Sequence, residues 1–84
     1  MTKLLYFAWV RERIGVSEEE LALPAALRTV ADLLDWLAER SAGHAAALAD
    51  RSAVRVGVDQ AFARADTPIG GAREIAIFPP VTGG

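Results

Sequence analysis

The sequence predicts an α+β fold in which a mixed sheet of about five strands carries one main helix packed across one face. Several short apolar segments, each bounded by glycine, proline or charged residues, are typical of strands. One longer segment repeats apolar residues at positions i, i+3, i+4 and i+7, which is the spacing of an amphipathic helix.

Two strands are predicted in the first part of the chain. Residues 3–10 (KLLYFAWV) form an apolar run without a breaker, which indicates a strand that is partly covered on both faces. Residues 18–23 form the second strand, which Pro24 ends because proline cannot donate to a ladder. Alternation in the first strand predicts Leu4, Tyr6 and Ala8 on one face and Leu5, Phe7 and Trp9 on the other.

The main helix is predicted to begin after Thr29, a good N-cap residue, with Asp32 three residues later in an acidic variant of the capping box. Its end is predicted at Ser41-Ala42-Gly43, and residues 44–50 favour a short second helix. The apolar stripe consists of Val30, Leu33, Leu34 and Leu37.

Three strands are predicted after the helices, at residues 54–58, 61–63 and 73–78, with a tight turn at Asp59-Gln60 between the first two. In the last strand, Ile75 and Ile77 are assigned to the helix-covered face, so that Ala76 and Phe78 point the other way. One amphipathic helix on such a sheet is the layout of a β-grasp, or ubiquitin-like, fold.

Composition excludes several classes of function. A chain of 84 residues predicts one domain, and a net charge of −2 without a basic stripe argues against a nucleic-acid partner. The absence of cysteine removes disulfides, thiol catalysis and cysteine-based metal sites. No metal site is predicted, because His44 has no second ligand near it in sequence. The apolar run from Leu4 to Val10 is too short for a membrane span, so no membrane association and a cytoplasmic location are expected.

The C-terminal residues carry the strongest functional signal. Residues 1–80 are predicted as the folded domain and residues 81–84 as a flexible Gly-Gly tail. Pro79 and Pro80 favour an extended backbone that projects the tail away from the sheet. Gly83 and Gly84 have no side chains and can enter a narrow channel. The terminal carboxylate is a poor electrophile, so its use in chemistry requires activation, for example by adenylation.

Three segments resemble the small subunit of molybdopterin synthase. The ending from Phe78 to Gly84 (FPPVTGG) resembles that family's C-terminal signature, and residues 5–12 (LYFAWVRE) resemble its first strand and following turn. Residues 56–60 resemble its central strand and turn. The chain departs from the family pattern at Asp59, where asparagine is common, and at Ile77, where a second aromatic residue often precedes Phe78.

The resemblance implies a mechanism centred on Gly84. An adenylating enzyme would activate the Gly84 carboxylate with ATP and Mg²⁺, and a sulfur donor would convert it to a thiocarboxylate. The tail, Val81, Thr82, Gly83 and Gly84, would then enter a pocket of the large synthase subunit, in a heterotetramer with two copies of each chain. There the sulfur would pass to cyclic pyranopterin monophosphate, and two transfers would form the molybdopterin dithiolene. No bound cofactor and no catalytic side chain of this chain would be needed.

The resemblance also implies a docking surface for the large subunit. We expect Phe7, Phe62 and Phe78 to form one apolar patch on the outer face of the sheet, leading to the tail. Arg11, Pro79 and Pro80 are the other residues expected to contact the partner. Two alternatives remain: a β-grasp sulfur carrier for thiamine or tRNA thiolation, and a ubiquitin-like modifier that joins Gly84 to a lysine.

Overall fold

The computed structural model describes residues 1–80, so the predicted sulfur-bearing residue Gly84 and the rest of the tail, Val81, Thr82 and Gly83, lie outside the described residues. The division into a domain and a tail therefore stays a prediction. The elements are β1 (Thr2–Tyr6), α1 (Ala8–Ile14), β2 (Glu18–Leu21), α2 (Val30–Ala38), α3 (Ala42–Ala47), a 3-10 helix (Arg51–Ala53), β3 (Arg55–Val58), β4 (Ala61–Ala63) and β5 (Glu74–Phe78). Within residues 1–80, no helix is long and apolar enough to cross a membrane.

The five strands form one mixed sheet in the order β2-β1-β5-β3-β4. Strands β1 and β5 are parallel, whereas the other neighbouring pairs are antiparallel. The last strand in sequence therefore lies at the centre of the sheet. This arrangement confirms the predicted α+β class and the mixed sheet with α2 as its main helix.

The hydrophobic core lies on one face of the sheet. Alternate strand residues such as Leu4 and Ile75 are fully buried there, as the alternation in the sequence predicted. All three α-helices contribute buried residues to the same cluster, which includes Val10 from α1, the predicted stripe of α2 and Ala47 from α3. The opposite face of the sheet, called here the outer face, carries the alternate residues.

The start of α2 confirms the predicted capping box. The Thr29 side-chain oxygen accepts a hydrogen bond from the backbone N–H of Asp32 at 3.3 Å, and the Asp32 carboxylate accepts one from the backbone N–H of Thr29 at 3.2 Å. Backbone N–H groups of Arg28 and Thr29 lower the pKa of the Asp32 carboxyl, because they stabilise its charged form. The acidic residue three positions after the cap therefore fixes where the helix begins.

The prediction of one strand over residues 3–10 is wrong beyond Tyr6. Phe7 has an extended backbone, Ala8 turns sharply with a φ of 53°, and helix α1 begins there. Ala8 is therefore exposed instead of lying beside Leu4 and Tyr6, and Trp9 packs against the core from α1 instead of lying on the outer face. An apolar run looks the same in a strand and in a buried helix, which is why periodicity missed this change.

The predicted stop at Ser41-Ala42-Gly43 is also wrong in its position. Helix α2 ends at Ala38, and Ser41 is the N-cap of α3, whose first residues are Ala42 and Gly43. Gly43 is required inside this helix because an added Cβ would collide with the backbone carbonyl oxygen of Arg13 at the end of α1. The glycine that suggested a helix end thus serves a close contact between two helices.

Candidate functional site

The outer face of the sheet carries an apolar groove that encloses about 200 Å³. It lies across β1, β5, β3 and β4, and one end reaches Phe78, the last residue of β5 and the residue that precedes Pro79. The groove is lined by Leu5, Phe7, Gly57, Gln60, Ala61, Phe62, Glu74, Ala76 and Phe78.

The strand register creates this depression. Leu5 pairs with Ala76, Ala76 pairs with Gly57, and Gly57 pairs with Phe62, so these four residues form one row across the outer face. The two central positions carry the smallest side chains of the row. The floor of the groove is therefore low in the middle and rises toward Leu5 and Phe62.

Three phenylalanine side chains stand around the floor. Phe62 is 83% exposed and Phe7 is 46% exposed, whereas Phe78 is half-buried. The rings of Phe62 and Phe78 are 6.1 Å apart between centroids, and their planes are tilted by 56°. A Cβ on Gly57 would lie 3.8 Å from the Phe78 ring, so this ring leans over the glycine. Aromatic side chains that a folded domain leaves exposed side by side are typical of a binding surface for another protein.

A two-residue turn between β3 and β4 sets the position of Phe62. Asp59 and Gln60 have φ values of 48° and 71°, which suit a tight hairpin between twisted strands. An Asp59 carboxylate oxygen accepts hydrogen bonds from the backbone N–H groups of Arg73 and Glu74, at 2.9 and 3.0 Å. Asparagine also offers a side-chain oxygen, so aspartate at this position preserves the link from the turn to β5.

The structure brings Phe7, Phe62 and Phe78 together on the outer face, as the sequence predicted. Arg11 is exposed on α1 but does not line the groove, and Pro79 and Pro80 are half-buried directly after Phe78. Partner binding by all six residues stays a prediction.

Sequence reasoning did not identify Gly57 or Glu74 as residues of the site. In the sequence, Gly57 is part of an alternating strand and Glu74 is one of eleven acidic residues, so neither is distinguished as a site residue. The signal that reveals them is the pairing of β5 with β1 and β3, which places both residues on the outer face beside the aromatic side chains.

A polar cluster lies on the helix-covered side of the sheet, opposite the apolar groove. One carboxylate oxygen of Glu19 accepts a hydrogen bond from the Tyr6 hydroxyl at 2.7 Å and lies 2.9 Å from His44 Nε2. The other ring nitrogen of His44 lies 2.7 Å from the Ser41 hydroxyl. His44 was expected to be an isolated residue, yet it is buried and links α3 to the edge strand β2.

Burial and hydrogen bonding act in opposite directions on Glu19. Burial by itself would raise the pKa of its carboxyl, but hydrogen bonds from Tyr6 and His44 stabilise the charged form and hold the pKa below its usual value. Burial, followed by the hydrogen bond to Glu19, raises the pKa of the Tyr6 hydroxyl. The cluster is therefore a tether in which the Glu19 carboxylate joins Tyr6 of β1 to His44 of α3.

Comparison with known proteins places the chain in a family. The family model described as the ThiS family matches residues 4–84. The molybdopterin synthase sulfur carrier subunit of Escherichia coli strain K12 is 40% identical over 84 residues and is matched along its whole length by the whole of this chain. The protein of the same description from Haemophilus influenzae is 34% identical over 88 residues, again with both chains fully covered.

Solved structures agree with the observed fold. A Pyrococcus furiosus protein described as molybdopterin converting factor subunit 1 superposes with a TM-score of 0.77 at 30% identity, covering 95% of this chain and 97% of its own. SAMP1 from Haloferax volcanii superposes with a TM-score of 0.71 at 26% identity, covering 99% and 98% of the two chains. The chain therefore belongs to the ThiS family of ubiquitin-like β-grasp proteins, in which its curated relatives are molybdopterin synthase sulfur carrier subunits.

Proposed function

We propose that this protein is the sulfur carrier subunit of a molybdopterin synthase and that the large synthase subunit is its partner. The observation that carries the proposal is the position of the apolar groove at the C-terminal end of β5. A protein that covers Phe62 and Phe78 also lies beside Pro79 and Pro80, the two residues that precede the tail. The names of the two curated relatives and the sequence from Phe78 to Gly84 support the same function.

The proposed chemistry takes place at the Gly84 carboxylate. An adenylating enzyme uses ATP and Mg²⁺ to form an acyl-adenylate, whose AMP is a good leaving group. A sulfur donor then replaces AMP, and the product is a thiocarboxylate. The chain has no cysteine, so the terminal carboxyl group is where this chain would carry sulfur. ATP and Mg²⁺ are consumed by the activating enzyme and are not cofactors bound by this chain.

Delivery of sulfur is proposed to occur inside the large subunit. Val81, Thr82, Gly83 and Gly84 enter its pocket, and the thiocarboxylate gives its sulfur to cyclic pyranopterin monophosphate. Two transfers form the dithiolene, in an assembly of two carrier and two large subunits. The folded domain would contribute a docking surface, with Pro79 and Pro80 directing the tail away from the sheet. A cytoplasmic location accompanies this proposal, because activation consumes ATP.

The decisive experiment follows the mass of the intact protein. Incubation with the adenylating enzyme, ATP, Mg²⁺ and a sulfur donor is expected to add the mass difference between one sulfur and one oxygen. Addition of the large subunit and the pterin precursor should then reverse this gain and yield molybdopterin. A thiolated protein that is never discharged by these two additions would contradict the molybdopterin assignment and favour a carrier for thiamine or tRNA thiolation.

A matched control separates the tail from the fold. Extension of the chain by one alanine after Gly84 moves the carboxylate without changing residues 1–80. We expect this variant to unfold at the same urea concentration as the natural chain but to gain no sulfur. Transfer of Gly84 to a lysine in place of sulfur loading would instead support a protein modifier.

A further inference from the structure

The apolar groove has one charged end, formed by Glu74. Glu74 is the first residue of β5 and lies in register beside Lys3 of β1, so both side chains belong to the outer face. Its backbone is fixed on both sides of the residue: its N–H donates to the Asp59 carboxylate, and its carbonyl accepts from the Asp59 N–H at 2.8 Å. The backbone of Glu74 is thus fixed, and the residue lines the end of the groove opposite Phe78.

Among residues 1–80, the Glu74 carboxylate has no ion-pair or hydrogen-bond partner, and the hydrogen bonds of this residue are made by its backbone. Lys3, its neighbour in register, is directed to Glu18, with 3.9 Å between the Lys3 nitrogen and the Glu18 carboxylate. A carboxylate that lines an apolar groove and lacks an internal cation has its charge available to a molecule that fills the groove.

The dimensions and chemistry of the groove restrict what can fill it. Its floor is low and apolar at Gly57 and Ala76, and its volume of about 200 Å³ is suited to one long side chain. A purely apolar occupant would remove water from the Glu74 carboxylate without replacing the lost hydrogen bonds, which is costly. A side chain with an apolar stem and a cationic head satisfies both parts of the groove.

We propose that the partner protein inserts one basic side chain, by preference an arginine, into this groove. Its stem lies over Gly57 and Ala76 beside the rings of Phe62 and Phe78, and its head pairs with Glu74. Arginine is favoured over lysine because its planar guanidinium binds a carboxylate with two parallel hydrogen bonds. This inference rests on the proposed function, since it takes the large synthase subunit as the partner.

The first test compares two substitutions that remove the same charge. Glu74→Gln keeps the shape of the side chain, and Glu20→Gln is the control because Glu20 lies on the same outer face beside Lys3 but does not line the groove. We expect Glu74→Gln to raise the Kd for the purified large subunit by about tenfold or more, and Glu20→Gln by less than about twofold. Thermal unfolding of both variants verifies that the fold is kept.

The second test identifies the basic residue. Each exposed arginine and lysine of the large subunit is changed to methionine, and each variant is measured against natural carrier and against Glu74→Gln. We expect one position whose effect on Kd largely disappears in the Glu74→Gln background, which is the signature of a direct pair.

The outcomes separate this inference from the proposed function. Equal Kd values for Glu74→Gln and Glu20→Gln, or additive effects at every basic position, would overturn the paired basic side chain while leaving the carrier function standing. Failure of the natural chain to bind the large subunit at all would instead overturn the proposed function.

Discussion

Gly43 shows how one residue can determine the approach of two helices. It lies in the first turn of α3, where an added Cβ would collide with the Arg13 carbonyl oxygen and would lie 3.1 Å from that of Ile14. Both atoms belong to the backbone at the end of α1, so a rotamer change cannot relieve the contact. The absence of a side chain therefore lets α1 and α3 pack closely beside the core.

We predict that Gly43→Ala destabilises the protein. Alanine gains about 1 kcal/mol of helix propensity over glycine. Overpacking costs about 1–3 kcal/mol. Because the contact is with fixed backbone, we expect a cost in the upper part of that range and a net loss of about 1–2 kcal/mol. Urea unfolding measures the difference. Gly70→Ala is the matched control, because an added Cβ there meets no atom within 4 Å. Equal stabilities of the two variants would show that α1 moves away freely.

Substitution of Phe62 tests the docking surface separately from folding. Because its side chain is 83% exposed, we expect Phe62→Ala to change the free energy of unfolding by less than about 0.5 kcal/mol. Exposed aromatic residues often dominate an interface, so the Kd for the large subunit should rise by about tenfold or more. Calorimetric titration and urea unfolding measure the two quantities. Unchanged binding would exclude Phe62 from the interface.

Phe78→Ala, in contrast, should affect both quantities. The Phe78 ring is half-buried and leans over Gly57. Its removal would therefore lower stability by exposing the floor of the groove, and would weaken binding by removing one aromatic side chain of the docking surface. A loss of binding in Phe78→Ala could therefore come from reduced stability, whereas a loss of binding in Phe62→Ala could not.

At the scale of elements, the edge strand β2 is attached to the rest of the fold in two ways. Its backbone pairs with β1, and Glu19 joins Tyr6 of β1 to His44 of α3. The side chain of Glu19 is only 20% exposed, so water competes weakly for its hydrogen bonds. The tether therefore fixes β2 and α3 relative to each other.

We predict that Glu19→Gln destabilises the protein in a pH-dependent way. The folded-state pKa of Glu19 lies below its unfolded value, so its contribution to stability is complete above the unfolded pKa and is lost as the pH falls through the folded pKa. The variant should be less stable by about 1–3 kcal/mol at neutral pH, as expected for hydrogen bonds to a charged group. The difference should shrink as the pH falls below about 4.

Urea unfolding at several pH values measures this difference. Glu20→Gln is the matched control, because Glu20 is exposed on the same strand and its loss should have a small effect at every pH. A difference between natural chain and Glu19→Gln that stays constant from neutral to acidic pH would argue against an ionised Glu19 as the source of the stabilisation.

Local patterns explain which elements were predictable. Helix α2 could be predicted because Thr29, Asp32 and the apolar stripe all act within a few residues of one another. Helix α1 could not, because an apolar run continues from β1 through Phe7 into Val10. The strand ends at a sharp turn at Ala8. Neither Phe7 nor Ala8 is a residue type that favours turns.

At the scale of the whole molecule, the outer aromatic surface was predictable and the shape of the groove was not. Alternation within β5 was enough to place Phe78 opposite Ile75 and Ile77. The depression at Gly57 depends on which residues face each other across β1, β5, β3 and β4, and these strands are far apart in sequence. The position of Glu74 at the end of the groove depends on the same registers.

The central position of β5 also determines how the chain must fold. Strands β1 and β2 contact strands β3 and β4 within the sheet only through β5, and the Thr2 hydroxyl donates to the Ala72 carbonyl 70 residues away. Such distant pairings slow folding, because a long loop must close before any contact compensates for its entropy. The two strand pairs can join into one sheet only when residues 74–78 lie between them. A truncation that removes β5 should thus leave two strand pairs without a shared core.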